Sequence, residues 1–156
     1  MALETAAKIG VWSEVRSRIA ALIDGETDDI AKMATIACEL RHCFDRFHWV
    51  GFYRVTEPGI LKIGPYQGGH GCLTIPFARG VCGAAARSGK TVIVPDVEAF
   101  PDHIACSSTT RSEIVVPVFS GGRLIAVLDI DSDEPDAFSQ VDATALEAIL
   151  ADAFSD

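Results

Sequence analysis

Two apolar segments joined by glycines, within residues 113–131, constrain the fold of this chain more than any other feature. The segments 113–119 and 123–131 are rich in β-branched residues, and Gly121 and Gly122 lie between them. This pattern predicts a β-hairpin. Strict alternation places the apolar residues of the second segment on two faces, Ile125 and Val127 on one and Leu124, Ala126 and Leu128 on the other. Strands that are apolar on both faces are covered on both sides, so we expect a layered domain.

The other elements follow from hydrophobic spacing, capping residues and β-branched runs. We predict helices over 3–24, from 27–29 to about Phe44, over 79–88 and from Ser139 to about Phe154, and strands over 47–55, 60–65 and 91–94. Residues 96–108 have no clear period, and an irregular segment of this length in a compact domain is often functional. The order of elements predicts an α+β fold, with a mostly antiparallel central sheet flanked by helices on both faces.

The length and composition indicate one folded domain. The chain has 156 residues, of which 49% are hydrophobic and 22% charged, and disordered chains have the opposite balance. We therefore treat residues 1–156 as a single domain. The net charge of −9 at pH 7 repels phosphate backbones and anionic lipid surfaces, so we expect neither nucleic acid nor a membrane as a partner.

The five cysteines do not suggest a closed disulfide framework. Residues 1–10 lack a basic region followed by an apolar run, and no segment approaches the roughly 18 apolar residues of a membrane span. We therefore expect a cytoplasmic protein, in which thiols are kept reduced. Five is also an odd number. Some of the cysteines are expected to fill the core, and others to have a chemical role.

Three carboxylates meet at the open end of the predicted hairpin. With the turn centred near Gly121, Glu113 lies opposite Asp129, and Asp131 is a diagonal neighbour on the same face. Like charges this close repel each other, so something should compensate them. One interpretation is a solvated strand end. The other, favoured because aspartate is a poor strand former, is a pocket for a cationic group such as an ammonium.

Three of the cysteines lie where thiol chemistry is favoured. Cys72 follows the glycine-rich loop 67–71, Cys82 lies at the start of the third predicted helix, and Cys106 lies in the irregular segment. A helix N-terminus lowers the pKa of a thiol, and a glycine loop lets one cysteine approach another. These features suit nucleophilic attack followed by disulfide formation. An inert, buried trio of thiols is an alternative.

A metal site is the competing chemical interpretation. Thiols and imidazoles of the kind that zinc prefers are contributed by His70, Cys72, Cys82, His103 and Cys106. Their spacings match no common zinc motif, and a mobile glycine loop is a poor scaffold for a metal. We therefore expect no metal at these residues.

Four further residues have ordinary structural explanations. Cys38 and Cys43 lie on the second predicted helix and are interpreted as small core residues. Trp49 and Tyr53 have the same parity on a predicted strand and so share a face. Core packing explains such a pair, although aromatic rings also make favourable contacts with sulfur and methyl groups.

Several short motifs occur in a defined order along the chain. They are GPYQG (64–68), Cys72, RGVCG (79–83), VPDV (94–97), FPDHIAC (100–106), SEIVVP (112–117) and LDIDS (128–132). Together they resemble the free methionine-(R)-sulfoxide reductases, which are GAF-domain enzymes. The resemblance extends from about residue 8 to 154 and implies a GAF-like fold. That fold alone would imply no activity, because most GAF domains are ligand-binding sensors.

The resemblance also implies roles for individual residues. Cys106 matches the attacking cysteine, Cys72 the resolving cysteine, and Cys82 a third cysteine whose part is less settled. The aromatic wall and the carboxylates around the substrate are matched by Trp49, Tyr53, Glu113, Asp129 and Asp131. The family further implies a homodimer with no bound cofactor, reduced by thioredoxin with NADPH behind it. One departure is His48, where the family pattern leads us to expect asparagine.

The resulting hypothesis is reduction of free methionine (R)-sulfoxide. The Cys106 thiolate attacks the sulfoxide sulfur while Glu113 or Asp131 protonates the departing oxygen. Cys72 then condenses with the sulfenic acid on Cys106, and an external dithiol reduces the disulfide. The remaining carboxylates neutralise the substrate ammonium, which peptide-bound methionine lacks. The alternative is a GAF sensor module that binds a small ligand without chemistry.

Overall fold

Six strands form one antiparallel sheet with helices on both of its faces. The computed structural model describes residues 2–155. The strands are β1 (Trp49–Glu57), β2 (Ile60–Gln67), β3 (Thr74–Pro76), β4 (Val92–Val94), β5 (Ser112–Ser120) and β6 (Arg123–Ser132). The helices are α1 (Ala2–Leu22), α2 (Asp29–Cys43), α3 (Gly80–Ser88) and α4 (Gln140–Phe154), with a 3₁₀ turn at Val97–Ala99. The sheet order is β3-β2-β1-β6-β5-β4, which confirms the predicted fold class.

The two faces of the sheet carry separate cores. The larger core lies between the sheet and helices α1, α2 and α4, where Trp12, Leu40 and Leu146 pack against Phe52 and Leu128. The second core lies on the opposite face. It packs α3 against the sheet and holds the residues Tyr53, Cys82, Ala85, Val115 and Val127. The candidate site residues lie on this second face.

Local capping sets the starts of α2 and α4. Asp28 Oδ1 accepts hydrogen bonds from the backbone N–H of Ile30 at 2.8 Å and of Ala31 at 3.2 Å, which satisfies amides at a helix N-terminus. The predicted capping box between Ser139 and Asp142 is present. Both helices therefore begin where their capping residues, Asp28 and Ser139, predict.

Short elements and one helix face differ from the sequence prediction. Strand β3 has three residues, too few for a pattern, and the 3₁₀ turn lies in the segment predicted to be irregular. Helical spacing on α1 predicts an apolar face that includes Ile9 and either Leu22 or Ile23. Ile9 is instead 54% exposed, and Leu22 is exposed while Ile23 packs on the core. No helix in the described range 2–155 is both long enough and apolar enough to cross a bilayer.

The register of the β5–β6 hairpin corrects the sequence prediction. Ser120 pairs with Arg123, but Val118 pairs with Ala126, so Ile125 is an extra residue in β6. The turn is centred between Gly121 and Gly122 rather than on Gly121, which shifts the pairs by one residue, and this β-bulge shifts all later pairs by one more. Glu113 therefore lies opposite Asp131 rather than Asp129. The bulge also breaks the predicted alternation, because Ile125 packs with the larger core and Leu124 with the second.

Candidate active site

A disulfide joins the two irregular loops on the face of the second core. Cys72 ends the glycine loop, and Cys106 lies 34 residues later in the segment between the 3₁₀ turn and β5. Their Cα atoms are 5.4 Å apart, a separation that is normal for a disulfide. Bonded sulfurs cannot act as thiolate metal ligands. The structure therefore removes two of the five zinc ligands considered from the sequence.

Cys82 is the buried thiol of this region. It lies in the first turn of α3, and its side chain belongs to the second core. Burial raises the pKa of Cys82 well above its ordinary value, and the charges of Asp129 and Glu113 raise it further. The position of Cys82 at a helix N-terminus predicts a lowered pKa. That prediction was wrong, because desolvation and the nearby carboxylates outweigh the helix dipole.

Three carboxyl groups converge next to Cys82. Glu113 on β5 faces Asp131 on β6, and Asp129 follows on the same face, opposite Val115. Burial and then the charge of Asp131 raise the pKa of Glu113 to about 8. Burial also raises the pKa of Asp129 and of Asp131 well above the ordinary value, with neighbouring carboxylates adding to the effect. The group therefore holds protons at neutral pH that separate carboxylates would release.

One carboxylate oxygen of this cluster lacks a hydrogen-bond partner. Asp129 is only 5% exposed, and its Oδ1 atom finds no donor among the described residues. A buried acceptor without a donor is costly. The oxygen is therefore available to a donor from outside the chain, such as an ammonium N–H or a bound cation.

The same cluster contains donors that could ligate a metal. Cys82, Glu113 and Asp129 each offer an atom, and the three atoms lie within 4.8 Å of one another. The possible ligands noted in the sequence, where no metal was expected, were a different set, of which Cys82 alone belongs to this group. A closed zinc site has four ligands, so three donors from the chain would leave one position for a further group.

His103 is a neighbour of the carboxylates that the sequence analysis considered only as a metal ligand. Its Nε2 atom lies 3.5 Å from Glu113 Oε1. Burial lowers the pKa of His103, which favours the neutral imidazole. The signal that could have found this contact is the position of His103, three residues before Cys106 in the irregular segment.

Three aromatic rings form a wall beside the disulfide loop. Trp49 stacks on Tyr53 at 5.8 Å between ring centroids and on Tyr66 at 5.4 Å. Tyr66 was not predicted, because β2 extends past residue 65 and brings it next to β1. The glycine loop covers this wall. Trp49 Nε1 donates to Gly69 O at 2.8 Å, and a Cβ at Gly71 would lie 2.9 Å from the Trp49 ring.

The loops leave little space above the carboxylates. A cavity of about 20 Å³ lies on the second face of the sheet, and its lining includes Cys82, His103, Cys106, Glu113 and Asp129. A volume of roughly 10–15 Å³ is needed for one water molecule. With the disulfide closed, this cavity is therefore too small for an amino acid.

His48 supports the end of β6 that carries Asp131. The backbone N–H of His48 donates to Asp131 O, and the backbone N–H of Asp133 donates to His48 Nδ1, both at 3.0 Å. An imidazole nitrogen that accepts a hydrogen bond is unprotonated. The histidine ring therefore supplies a hydrogen-bond acceptor at the position where the family pattern predicts asparagine.

The two cysteines of α2 lie away from the site. Cys38 is exposed, which contradicts its interpretation as a core residue. Cys43 is half-buried against the larger core, and Arg18 donates to its sulfur at 2.9 Å. The hydrophobic spacing of α2 did not distinguish the exposed position of Cys38 from the half-buried position of Cys43.

Comparisons with known proteins agree with this architecture. The GAF domain family matches residues 27–153. "GAF domain-containing protein A" of Dictyostelium discoideum is 45% identical over 139 residues, which are 89% of this chain and 87% of the relative. The "Free methionine-R-sulfoxide reductase" of Saccharomyces cerevisiae is 38% identical over 135 residues, or 82% and 75% of the two chains.

A solved structure of similar sequence has the same fold. It is the free methionine-R-sulfoxide reductase from Neisseria meningitidis in complex with its substrate, with a TM-score of 0.89 and 48% identity, covering 94% of this chain and 87% of that one. The fold and the matches define this protein as a GAF domain. More particularly, the chain belongs to the free methionine-R-sulfoxide reductase family and is an oxidoreductase.

Proposed function

We propose that this enzyme reduces free methionine (R)-sulfoxide through a thiol relay of Cys106 and Cys72. The observation that carries the proposal is the disulfide between these residues, with Cys106 lining the cavity that holds the carboxylates. A disulfide at such a place is the expected product of one oxidising turnover. The preference for the R sulfoxide comes from the family and not from the site geometry.

The relay has three balanced steps. The Cys106 thiolate attacks the sulfoxide sulfur while a carboxyl group protonates the oxygen. The resulting hydroxyl passes to the Cys106 sulfur as the bond between the two sulfurs and the substrate S–O bond break, so methionine leaves and Cys106 becomes a sulfenic acid. The Cys72 thiol attacks that sulfenic sulfur, which forms the disulfide and releases water. An external dithiol then gives two electrons and two protons, which restores both thiols and oxidises the dithiol to a disulfide.

The carboxyl groups divide between two tasks. Glu113, whose pKa is raised to about 8, is the acid that protonates the sulfoxide oxygen, because it retains its proton at neutral pH. Asp131, directly opposite, is the other candidate for that role. Asp129 accepts a charge-assisted hydrogen bond from the substrate ammonium through its unpaired Oδ1 atom. Glu113 and Asp131 are assigned as acids because their pKa values are raised. Asp129 is assigned to the ammonium because its Oδ1 atom has no hydrogen-bond donor among the described residues.

The aromatic wall and Cys82 complete the site. Trp49 and Tyr53 contact the methyl and sulfur of the substrate, as aromatic rings do favourably. Cys82 remains a protonated thiol next to the carboxylates, because its pKa is raised well above the ordinary value. It therefore acts as a reserve thiol that is slower to react than Cys72.

The external partners follow from the need for a reductant. Thioredoxin with NADPH behind it supplies the two electrons, with no cofactor bound to the chain, and the protein acts in the cytoplasm.

The protein acts as a homodimer. Apolar residues that α1 exposes to solvent support a second copy as their cover: Leu3, Ile9, Val11 and Leu22.

The test is turnover of free methionine sulfoxide with dithiothreitol as the reductant. Wild type should release methionine, and Cys106→Ser should lose at least about 99% of the activity, because a hydroxyl is a far weaker nucleophile toward sulfur. Cys38→Ser is the matched control, since that thiol is exposed and remote. Absence of wild-type turnover, together with binding of the sulfoxide, would favour the sensor alternative instead.

A further inference from the structure

Leu73 is an exposed apolar side chain placed directly beside the disulfide. It is 70% exposed and follows Cys72 in the chain. The other large apolar residues that are exposed in the described chain lie on α1, on α2 and at Phe119 near the hairpin turn. A single exposed leucine is ordinary. Leu73 differs from the other exposed apolar residues because it adjoins a disulfide-bonded cysteine and because its backbone is hydrogen-bonded to the sheet.

The sheet holds Leu73 in place. The backbone N–H of Ile63 donates to Leu73 O at 3.0 Å, which continues the β2–β3 ladder by one residue. Leu73 has the same parity as Ile75, which is buried in the second core. Alternation therefore directs the Leu73 side chain to the face that carries the site. The leucine stays exposed although its backbone is anchored.

The strand beside Leu73 also has a free edge. β3 is the first strand in the sheet order and pairs only with β2. In an antiparallel strand, alternate residues direct their backbone groups to opposite sides. Since Leu73 O points to β2, the N–H and C=O of Thr74 point away from it. An extended segment of another protein could pair with this edge, in the manner of strand addition.

The two sulfurs of the disulfide differ in their surroundings. Cys106 lines the cavity with Glu113 and Asp129, whereas Cys72 is half-buried at the edge of the second core and directly precedes the exposed Leu73. A partner that docks on Leu73 therefore brings its thiolate next to Cys72. Attack there makes the Cys106 sulfur the leaving group, which is the thiolate that the proposed reaction requires.

We infer that Leu73 and the free edge of β3 form the docking surface for a protein dithiol, which attacks the disulfide at Cys72. The attacking thiolate forms a mixed disulfide with Cys72 and releases Cys106 as a thiolate. The second thiol of the partner then attacks its own bonded sulfur and frees Cys72, so the partner leaves as a disulfide. This inference rests on the proposed function only in one respect: the proposed function is the reason why the cell would need to reduce this disulfide.

The test measures reduction of the Cys72–Cys106 disulfide itself, without any sulfoxide. The oxidised protein is mixed with reduced thioredoxin or with dithiothreitol, and the appearance of free thiols is followed in a stopped-flow experiment. Leu73→Ser should lower the second-order rate constant with thioredoxin by about tenfold, because apolar burial at the contact is lost. The rate with dithiothreitol, which is too small to use a docking surface, should be unchanged.

Two controls separate docking from a general loss of structure. Ile30→Ser changes an apolar side chain that is 45% exposed on α2 and should leave both rates at the wild-type value. Leu73→Met should restore most of the rate with thioredoxin, since methionine supplies similar apolar area. Equal thioredoxin rates for Leu73→Ser and Ile30→Ser would overturn the inference.

A trapping experiment identifies the sulfur that is attacked. Thioredoxin with its second active-site cysteine changed to serine cannot complete the exchange, so the mixed disulfide accumulates. Peptide mapping should place the bond on Cys72, and a bond on Cys106 would refute the proposed direction of attack. Because neither experiment uses the sulfoxide, their results are independent of whether the protein reduces it.

Discussion

Glu113 lies directly opposite Asp131 across the β5–β6 ladder, and the charge of Asp131 is, after burial, the main cause of the raised pKa of Glu113. Two carboxylates at paired strand positions repel each other unless one of them holds a proton. The pair is therefore both an acid for chemistry and a source of pH-dependent stability.

The stability of the protein should fall as the pH rises from about 4.5 to about 8. In this window folded Glu113 keeps a proton, because its pKa is raised to about 8 from 4.5, whereas the unfolded chain has lost it. The native state then binds more protons, so stability decreases by up to roughly 1.4 kcal/mol per pH unit. Urea unfolding of Glu113→Gln across this range should show a shallower decline. Glu98→Gln, at an exposed position, should keep the wild-type slope, and identical slopes in all three proteins would contradict the prediction.

Cys72→Ser should complete one turnover and then stop when thioredoxin is the reductant. In the proposed relay thioredoxin reduces the disulfide, and without Cys72 the sulfenic acid on Cys106 has no neighbouring partner in the glycine loop. Rapid-quench assays should show a burst of about one methionine per chain, with oxidised Cys106 trapped for mass spectrometry. Unimpaired steady turnover would show instead that Cys82 resolves the intermediate, and the double variant with Cys82→Ser tests that outcome.

The enzyme should prefer free methionine sulfoxide to its N-acetyl amide. A pocket built for an ammonium penalises a substrate that lacks one, because buried acceptors stay unpaired. Asp129→Ala should raise the KM for the free amino acid by about tenfold, with a smaller change for the capped substrate. The measurement is kcat/KM for both substrates in both proteins. Equal values in wild type would exclude an ammonium pocket but would leave the thiol relay intact.

The disulfide form should not bind methionine sulfoxide. Its cavity of about 20 Å³ is too small for the substrate, and the glycine loop covers Trp49. Calorimetry should detect binding to reduced Cys106→Ser, in which this disulfide cannot form, and no binding to oxidised wild type. In steady state the two half-reactions should then alternate, which gives parallel lines in double-reciprocal plots against the two substrates. Tight binding to the oxidised protein would disprove this order.

Asp142→Ala should destabilise the fold far more than a change at an exposed ion pair. Asp142 is buried and accepts from Trp12 Nε1 at 2.9 Å, from Lys8 Nζ at 2.8 Å and from Arg46 Nη2 at 2.7 Å. It also belongs to the capping box of α4. Loss of the cap and of the charged hydrogen bonds should cost roughly 2–4 kcal/mol in urea unfolding.

Asp152→Ala is the matched control for that change. Asp152 lies on the same helix and pairs with Arg16, but both side chains are about half exposed. Such a pair contributes about 0–1 kcal/mol. A similar cost for the two variants would mean that the buried network around Asp142 adds nothing beyond a surface salt bridge.

The sequence predicted the elements that carry strong local signals. The capping residues Asp28 and Ser139 and the alternating apolar strands define the helix starts and the sheet, because their physics is local. The predicted register was wrong by one residue at the turn and by one more at the Ile125 bulge, since no residue type marks a bulge in an apolar run. The three carboxylates still meet, because a shift of two residues preserves their common face.

Properties that depend on the whole fold were harder to predict. The helix position of Cys82 indicated a low thiol pKa, but its burial beside Asp129 reverses the sign. The aromatic wall gained Tyr66 from the adjacent strand, and the contact of His103 with Glu113 joins a loop to a strand. Contacts between segments distant in sequence leave no periodic pattern, so one sequence alone does not reveal them.

The bulge in β6 has a practical consequence for engineering the chain. β6 is held by β1 from Trp49–Asp131 to Arg54–Ala126, so the position of the carboxylate end does not depend on the length of the turn. Ile125 separates that anchored part from the tip, where Gly121 and Gly122 are exposed. A peptide tag or a fluorophore attached at this tip would therefore report on the protein from outside, while the spacing of the acids on the anchored segment stays as it is.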